Sequence, residues 1–202
     1  MIKKLTSLIL TIGILFTFTS CTIKENNKDI NNNSTSIENN TNKEDKSHLM
    51  LISEIKNKAE TGGIINSEFK AGINIIDDVT NSLGEANSSN YIANAKGTYY
   101  TFDKHNVVFG CNKGGAIFEA RSFDSRINNL NLENIKKVYG KPDYNIVTEN
   151  KERIIGYKIN DNYKILFVFS KGTEVNPKLH HYSVLYPKGT INSMTSNPGR
   201  QW

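Results

Sequence analysis

Two cysteines and four histidines are the groups in this chain best suited to nucleophilic or metal chemistry. His180 and His181 are adjacent, with His105 and His48 as distant companions. Neighbouring side chains on a strand point to opposite faces, so the pair is not expected to share one ion. Cys111 follows Gly110 at the end of an apolar run. A catalytic thiol needs a neighbouring base, and no spacing supplies one for it. It reads as a partly buried bystander. Asp77 and Asp78 fall on a helical pattern, where adjacent carboxylates diverge by about 100°, and they read as a solvated helix start. Gly114-Gly115 has turn chemistry with no helix after it, unlike a phosphate loop. Arg121 and Arg126 flank Asp124 and read as an ion pair rather than a substrate clamp. No serine nucleophile elbow is present. The expectation is therefore no catalytic residues, no metal ligands and no cofactor-binding residues: not an enzyme. An enzyme acting on a cell-wall or small-molecule substrate stays as the alternative, and a structural envelope component as a third reading.

Cys21 is different because of what precedes it. Lys3 and Lys4 lead into an apolar run from Leu5 to Phe18, followed by Thr19, Ser20 and Cys21. The run is short of the roughly 20 residues a span requires and has the layout of a secretory leader. Small residues directly before a cysteine resemble the lipobox of bacterial lipoprotein signal peptides, although Phe18 replaces the usual Leu. The resemblance implies cleavage between Ser20 and Cys21 and a diacylglycerol on the Cys21 thiol. An ordinary secretory leader and an uncleaved anchor are the other readings. The lipobox implies a lipid-anchored protein on the extracytoplasmic face of a cell membrane, with the membrane as its first partner.

The net charge of +5 and mean hydropathy of −0.48 average over unlike segments. Residues 1–20 form the leader. Residues 21–47 are rich in Asn, Lys, Glu and Ser, with too few apolar residues to repay ordering, and predict a disordered tether. Lys24 to Ser47 as coil would average roughly 27 Å end to end, enough to space a domain from a membrane. Residues 48–188 hold the folded part, and 189–202 form a tail with the chain's one Trp. The tail is read either as disordered or as docked onto the sheet. Basic residues are dispersed, without an Arg/Lys block interleaved with aromatics, so nucleic acid is not an expected partner.

The elements follow from periodicity. Leu49, Ile52, Ile55 and Ala59 make a helical stripe that ends at Gly62-Gly63. Ile73, Ile76, Val79 and Leu83 make a second, ended by Gly84. Strands are predicted over 98–103, 106–111 and 116–123, with a weak one near Tyr91 to Ala93. Asn131 caps a third helix through Leu132, Ile135 and Val138 to Gly140. Strands follow over 144–148, 153–159, 163–170 and 179–186. The helix ends align at an offset of 56 residues, and Tyr100-Thr-Phe-Asp103 aligns with Tyr157-Lys-Ile-Asn160 at 57. Such self-similarity marks duplication. The expected fold is α+β: a tandem repeat, about 49–124 and 125–188, of a helix or helix pair plus a three- to four-stranded antiparallel sheet, with helices packed on one face. Joining the repeats edge to edge would cover two exposed strand edges.

Three resemblances bear on this pattern. Ile135-Lys-Lys-Val-Tyr-Gly-Lys-Pro-Asp143 is similar to the helix-to-strand passage of SmpA/BamE-like outer-membrane assembly lipoproteins. The tandem layout resembles the β-lactamase inhibitor protein fold. From about Leu49 to Lys188 the chain resembles YjgB-like lipoproteins of Gram-positive bacteria, through Phe69-Lys-Ala-Gly72, Val107-Val-Phe-Gly110, Ile117-Phe-Glu-Ala-Arg-Ser-Phe-Asp124, Val138-Tyr-Gly-Lys-Pro142 and Tyr182-Ser-Val-Leu-Tyr186. That family brings no established activity. The chain's own hint is its tyrosines: Tyr99, Tyr100, Tyr157, Tyr163, Tyr182 and Tyr186 lie on predicted strands. Alternation puts half or more in the core, and the rest suit protein recognition. The expected function is a non-catalytic protein-binding or inhibitor-like module that engages an unknown envelope protein.

Overall fold

The computed structural model describes residues 34–190, with side chains from Lys43 onward. The leader, Ser20, Cys21 and the tail beyond Thr190 lie outside the described residues.

Helix α1 spans Ser34–Ala59 and buries the expected stripe, with Ile52, Ile55 and Ala59 fully enclosed. It begins inside the stretch whose composition predicts coil. Once the packed half is nucleated, each further residue adds a hydrogen bond at low cost, and Glu and Lys are good helix formers. Lys137 Nζ lies 3.6 Å from Asp45 and His48 Nε2 3.9 Å from Glu44. The helix stops where the Gly62 and Gly63 amides turn back onto the Ala59 and Lys58 carbonyls. Gly62 has φ +81°, and a Cβ there would sit 2.4 Å from the Ala71 carbonyl oxygen. Glycine is required at that turn.

Helix α2 spans Ile76–Leu83. It starts later than the apolar stripe predicts, leaving Ile73 outside and 63 % exposed. The backbone before it is committed elsewhere: Ile75 bridges to Ala116, and the Asp78 carboxylate accepts from Ile75 N and Asn74 Nδ2. Helix α3 spans Leu132–Tyr139. Asn131 caps it as expected, accepting from Asn134 N at 2.9 Å while Asn134 Oδ1 accepts from Asn131 N.

Eight strands form one antiparallel sheet: β1 Ser88–Ile92, β2 Gly97–Phe102, β3 Val107–Cys111, β4 Ile117–Ser122, β5 Tyr144–Val147, β6 Arg153–Lys158, β7 Lys164–Phe169 and β8 Leu179–Leu185. The order is β1-β2-β3-β4-β8-β7-β6-β5. Each group of four is a meander, and the two meanders meet where β4 pairs with β8. That junction leaves β1 and β5 as the outer edges. All of β1 is exposed, so no alternation marks it, and it reads as a weak signal in sequence.

Alternation divides the sheet residues into two sets. Phe102, Phe109, Ala120, Ile155, Phe167, Tyr182 and Val184 share a continuous buried cluster with Ile52 and Ile55 of α1, Ile76 and Val79 of α2, and Leu132 and Ile135 of α3. Each such large side chain, fully buried, contributes about 1.5–3 kcal/mol. The alternate set, Tyr99, Phe118, Leu166 and Leu185, forms a second cluster with Ala95, flanked by Val108 and Ile154. The face carrying this second cluster is called the second face below.

Candidate recognition face

The second face is shaped at a bulge. In β3–β4 the register slips between Gly110 and Cys111, so that Cys111 pairs with Ile117 but Gly110 with Glu119. The extra residue, Phe118, then shares a face with Glu119. Phe118 is fully buried in a slot of small residues. A Cβ on Gly97 would lie 2.5 Å from its ring, on Gly110 3.0 Å, and on Gly189 3.0 Å from its Cβ. Tyr99 closes the slot edge-on, with ring centroids 5.9 Å apart.

Beside this slot stands a charged group of three. Glu119 is 1 % exposed. Tyr99 Oη donates to Glu119 Oε2 at 2.7 Å. Arg121 Nε donates to Glu119 Oε1 at 2.8 Å, and Arg121 Nη2 approaches Oε2 at 3.4 Å. The guanidinium also covers the Tyr99 ring at 4.4 Å from its centroid, an attraction strengthened by partial desolvation. Burial opposes the Arg121 charge, but the Glu119 carboxylate outweighs it and the guanidinium stays firmly protonated. Two residues apart on β4, Glu119 and Arg121 face the same way, which is why they can pair. On the far side of β8, Lys164 pairs across strands with Lys158. Burial and then the Lys158 charge hold Lys164 below the usual ammonium range.

The expected candidates fall as follows. Asp124 pairs with Arg126, at 2.8 Å to Nη2 and 3.0 Å to Nε, but Arg121 turns away to Glu119. The flanking pattern predicted one pair; strand alternation separates its two arginines. Cys111 is 1 % exposed inside the main core, and burial pushes its thiol up to about 12. It is more deeply enclosed than expected and is not poised as a nucleophile. His180 and His181 do not diverge as regular alternation predicts. A second bulge, between Val168 and Phe169, sets Phe169 against Leu179 and Val168 against His181. The two Nδ1 atoms lie 2.8 Å apart, and Phe123 stacks on His181 at 4.7 Å. Among the described residues no three His, Cys, Asp or Glu side chains gather as a metal site. Asp77 is exposed, and Asp78 serves the start of α2. Gly114-Gly115 forms the turn joining β3 to β4, with Gly115 N donating to Asn112 O. A groove of about 660 Å³ runs along α1, lined by Leu49, Met50, Glu54, Lys58 and Lys70 among others.

Of the six tyrosines that the sequence places on strands, Tyr99, Tyr157, Tyr163 and Tyr182 are buried and Tyr100 and Tyr186 half-buried, with Tyr163 just before β7 and Tyr186 just after β8. The exposed tyrosine is Tyr91, 66 % open on the edge strand β1. Sequence reasoning named Tyr99 but not its grouping with Glu119 and Arg121. The available signal was the i, i+2 spacing of Glu119 and Arg121 on β4, two strands from Tyr99 on β2.

An antiparallel sheet of two joined meanders, with three helices and no catalytic constellation among the described residues, is the class the geometry defines. Residues 52–185 match the model of DUF4309, a domain of unknown function, and the chain belongs to that family. It is similar to the crystal structure of a DUF4309 family protein, YjgB, from Bacillus subtilis subsp. subtilis str. 168. The TM-score is 0.57 at 19 % identity, covering 70 % of this chain and 99 % of that one. At that identity the likeness concerns the fold. No curated protein matches the chain.

Proposed function

We propose that this chain is a lipid-anchored, non-catalytic protein-binding module of the cell envelope. The leader 1–20 is removed before Cys21, whose thiol carries the lipid, and the Asn-rich stretch after it spaces the folded part from the extracytoplasmic face of the membrane. The folded part presents the second sheet face to an envelope protein. The observation that carries the binding reading is the Tyr99–Glu119–Arg121 group set among aliphatic strand residues. Aromatic and Arg side chains in a desolvated setting are the anchors that protein interfaces use.

We also read the two meanders as duplicated units, each covered by its helices on one face. Several parallels support this. Gly84 and Gly140 end α2 and α3 with φ +83° and +79°. Asn87 Oδ1 accepts from Asp103 N, and Asp143 Oδ2 from Lys158 N, both at 2.8 Å. Each unit carries one bulge beside its last strand. These hooks align Asp103 with Lys158, a different hairpin register from the one the tyrosine-centred pattern predicts.

Two experiments test the function. Cys21→Ser is expected to release the protein from membranes and abolish lipid labelling; unchanged retention would overturn the anchor. A pull-down from native envelope is expected to recover one stoichiometric partner, lost on Lys158→Glu/Lys164→Glu with the fold intact by circular dichroism. Binding indifferent to that charge reversal would move the recognition surface elsewhere.

A further inference from the structure

Among the described residues β1 stands at one end of the strand order, beside β2. All five of its residues are exposed, and Tyr91 and Ile92 are among the exposed large apolar side chains. An edge strand turns part of its backbone N–H and C=O groups away from its neighbour, which makes it a template for another strand. Natural edges are blunted by charges, proline or a bulge. From Ala86 to Ala95 the chain has neither a charged residue nor a proline, and β1 pairs with β2 in unbroken register. In a chain that is 22 % charged, ten such residues in a row single out this edge. The opposite edge differs: Lys141, Pro142, Asp143 and Glu149 bracket β5. Directly paired residues share a face. Tyr91 lies opposite Thr98 and Ser89 opposite Tyr100, so both stand on the side of the main cluster, against which Tyr100 packs. Ile92, opposite Gly97, stands on the second face. Each side of the sheet therefore ends, at this edge, in one exposed apolar side chain.

We propose that β1 pairs antiparallel with β1 of a second copy of this chain, about a two-fold axis at Asn90, joining two sheets into one. Such an interface is isologous. Asn90 faces its own counterpart, Ser89 faces the partner's Tyr91, and Ser88 faces the partner's Ile92. The two Tyr91 residues then form a diagonal pair about 7–8 Å apart, within reach for aromatic side chains. The absence of charge from Ala86 to Ala95 is what favours a second copy. A two-fold axis brings each side chain near its own duplicate, so a charge close to the axis would repel itself. Five residues a side fall short of the roughly 20–30 that a stable interface uses. The dimer is therefore weak and depends on concentration. The pairing rests neither on the lipid anchor nor on the envelope partner proposed above.

The experiment is disulfide trapping in the full chain carrying Cys21→Ser, purified in mild detergent; Cys111 is buried and stays silent. Asn90→Cys sets a thiol against its own counterpart, at a Cα separation of about 4.5–5.5 Å that a disulfide spans. Lys104→Cys, on an exposed turn, reports random collision. Mild oxidation is expected to give covalent dimer several-fold faster with Asn90→Cys than with Lys104→Cys, and more slowly on dilution. Adding Tyr91→Lys is expected to cut the Asn90→Cys rate to that of the control, with the far-ultraviolet dichroism unchanged. Adding Val147→Lys, on β5, is expected to leave it unchanged. An Asn90→Cys rate no faster than the control overturns the proposal, as does a rate indifferent to Tyr91→Lys. A rate lowered by Val147→Lys would pair β1 with β5 of the next copy, which overturns the two-fold arrangement. Control-rate trapping, with Asn90→Cys shielded from maleimide only when envelope extract is added, would give the edge to another protein and overturns the pairing as well. No step uses the lipid or an envelope partner, so failure of those readings leaves this result standing.

Discussion

Removing Arg121 strands a buried charge. In Arg121→Met the aliphatic stem still covers the Tyr99 ring, but the counter-charge 2.8 Å from Glu119 is gone. Breaking a fully buried pair costs about 3–5 kcal/mol. Here the carboxylate is 1 % and the guanidinium side chain 25 % exposed, so water screens one partner and the cost falls to about 2–3 kcal/mol. For a folded part of this size that lowers the melting temperature by about 8–12 °C. The assay is urea unfolding followed by circular dichroism, with the midpoint and slope fitted separately. Adding Glu119→Gln removes the stranded charge and keeps an oxygen for Tyr99 Oη, so the double variant is expected to recover at least half of the loss. A single-variant cost under about 0.5 kcal/mol, the size of an exposed pair, would refute the burial argument. So would a double variant as unstable as the sum of the two singles.

Three further outcomes follow from the packing. The Arg126 side chain holds Asp124 below its ordinary value of 3.8, so the native state binds fewer protons there. The stabilisation is complete above about pH 4 and is lost as pH falls through the folded value; Asp124→Asn should flatten the acid limb of urea midpoint against pH. Cys111, buried and raised to about 12, should resist iodoacetamide in the folded chain and react in urea, as mass spectrometry would record. Gly97→Ala places a methyl 2.5 Å from the Phe118 ring and 2.9 Å from the Cys111 carbonyl. It should cost about 1–3 kcal/mol or more in urea, whereas Gly114→Ala, whose nearest neighbour would be Asn112 Oδ1 at 3.5 Å, should cost far less.

Most strands were legible because their buried residues alternate with turn chemistry between them, as in Tyr163 to Ser170 against the observed Lys164–Phe169. The Asn131 cap was legible because capping is a local hydrogen-bond problem. The second helix was overextended at Ile73, because a sheet bridge at Ile75 competes for the same backbone. The start of α1 was missed, because helix propagation from a packed half does not show in composition. The histidine pair was misread because a bulge breaks the two-residue period on which the reading rested.

By itself the sequence determined the order of the helices and strands, the Asn131 cap and the helix ends at Gly62, Gly84 and Gly140. These depend on neighbours within a turn or two, or on residue types alone. Only the tertiary structure decided that β4 meets β8, that Arg121 pairs with Glu119 rather than Asp124, and that Phe118 fills a slot of glycines from three separate segments. Each of those depends on which strands lie side by side and where a bulge turns a side chain over. Burial and pairing energies between distant segments fix both, and no local pattern carries them.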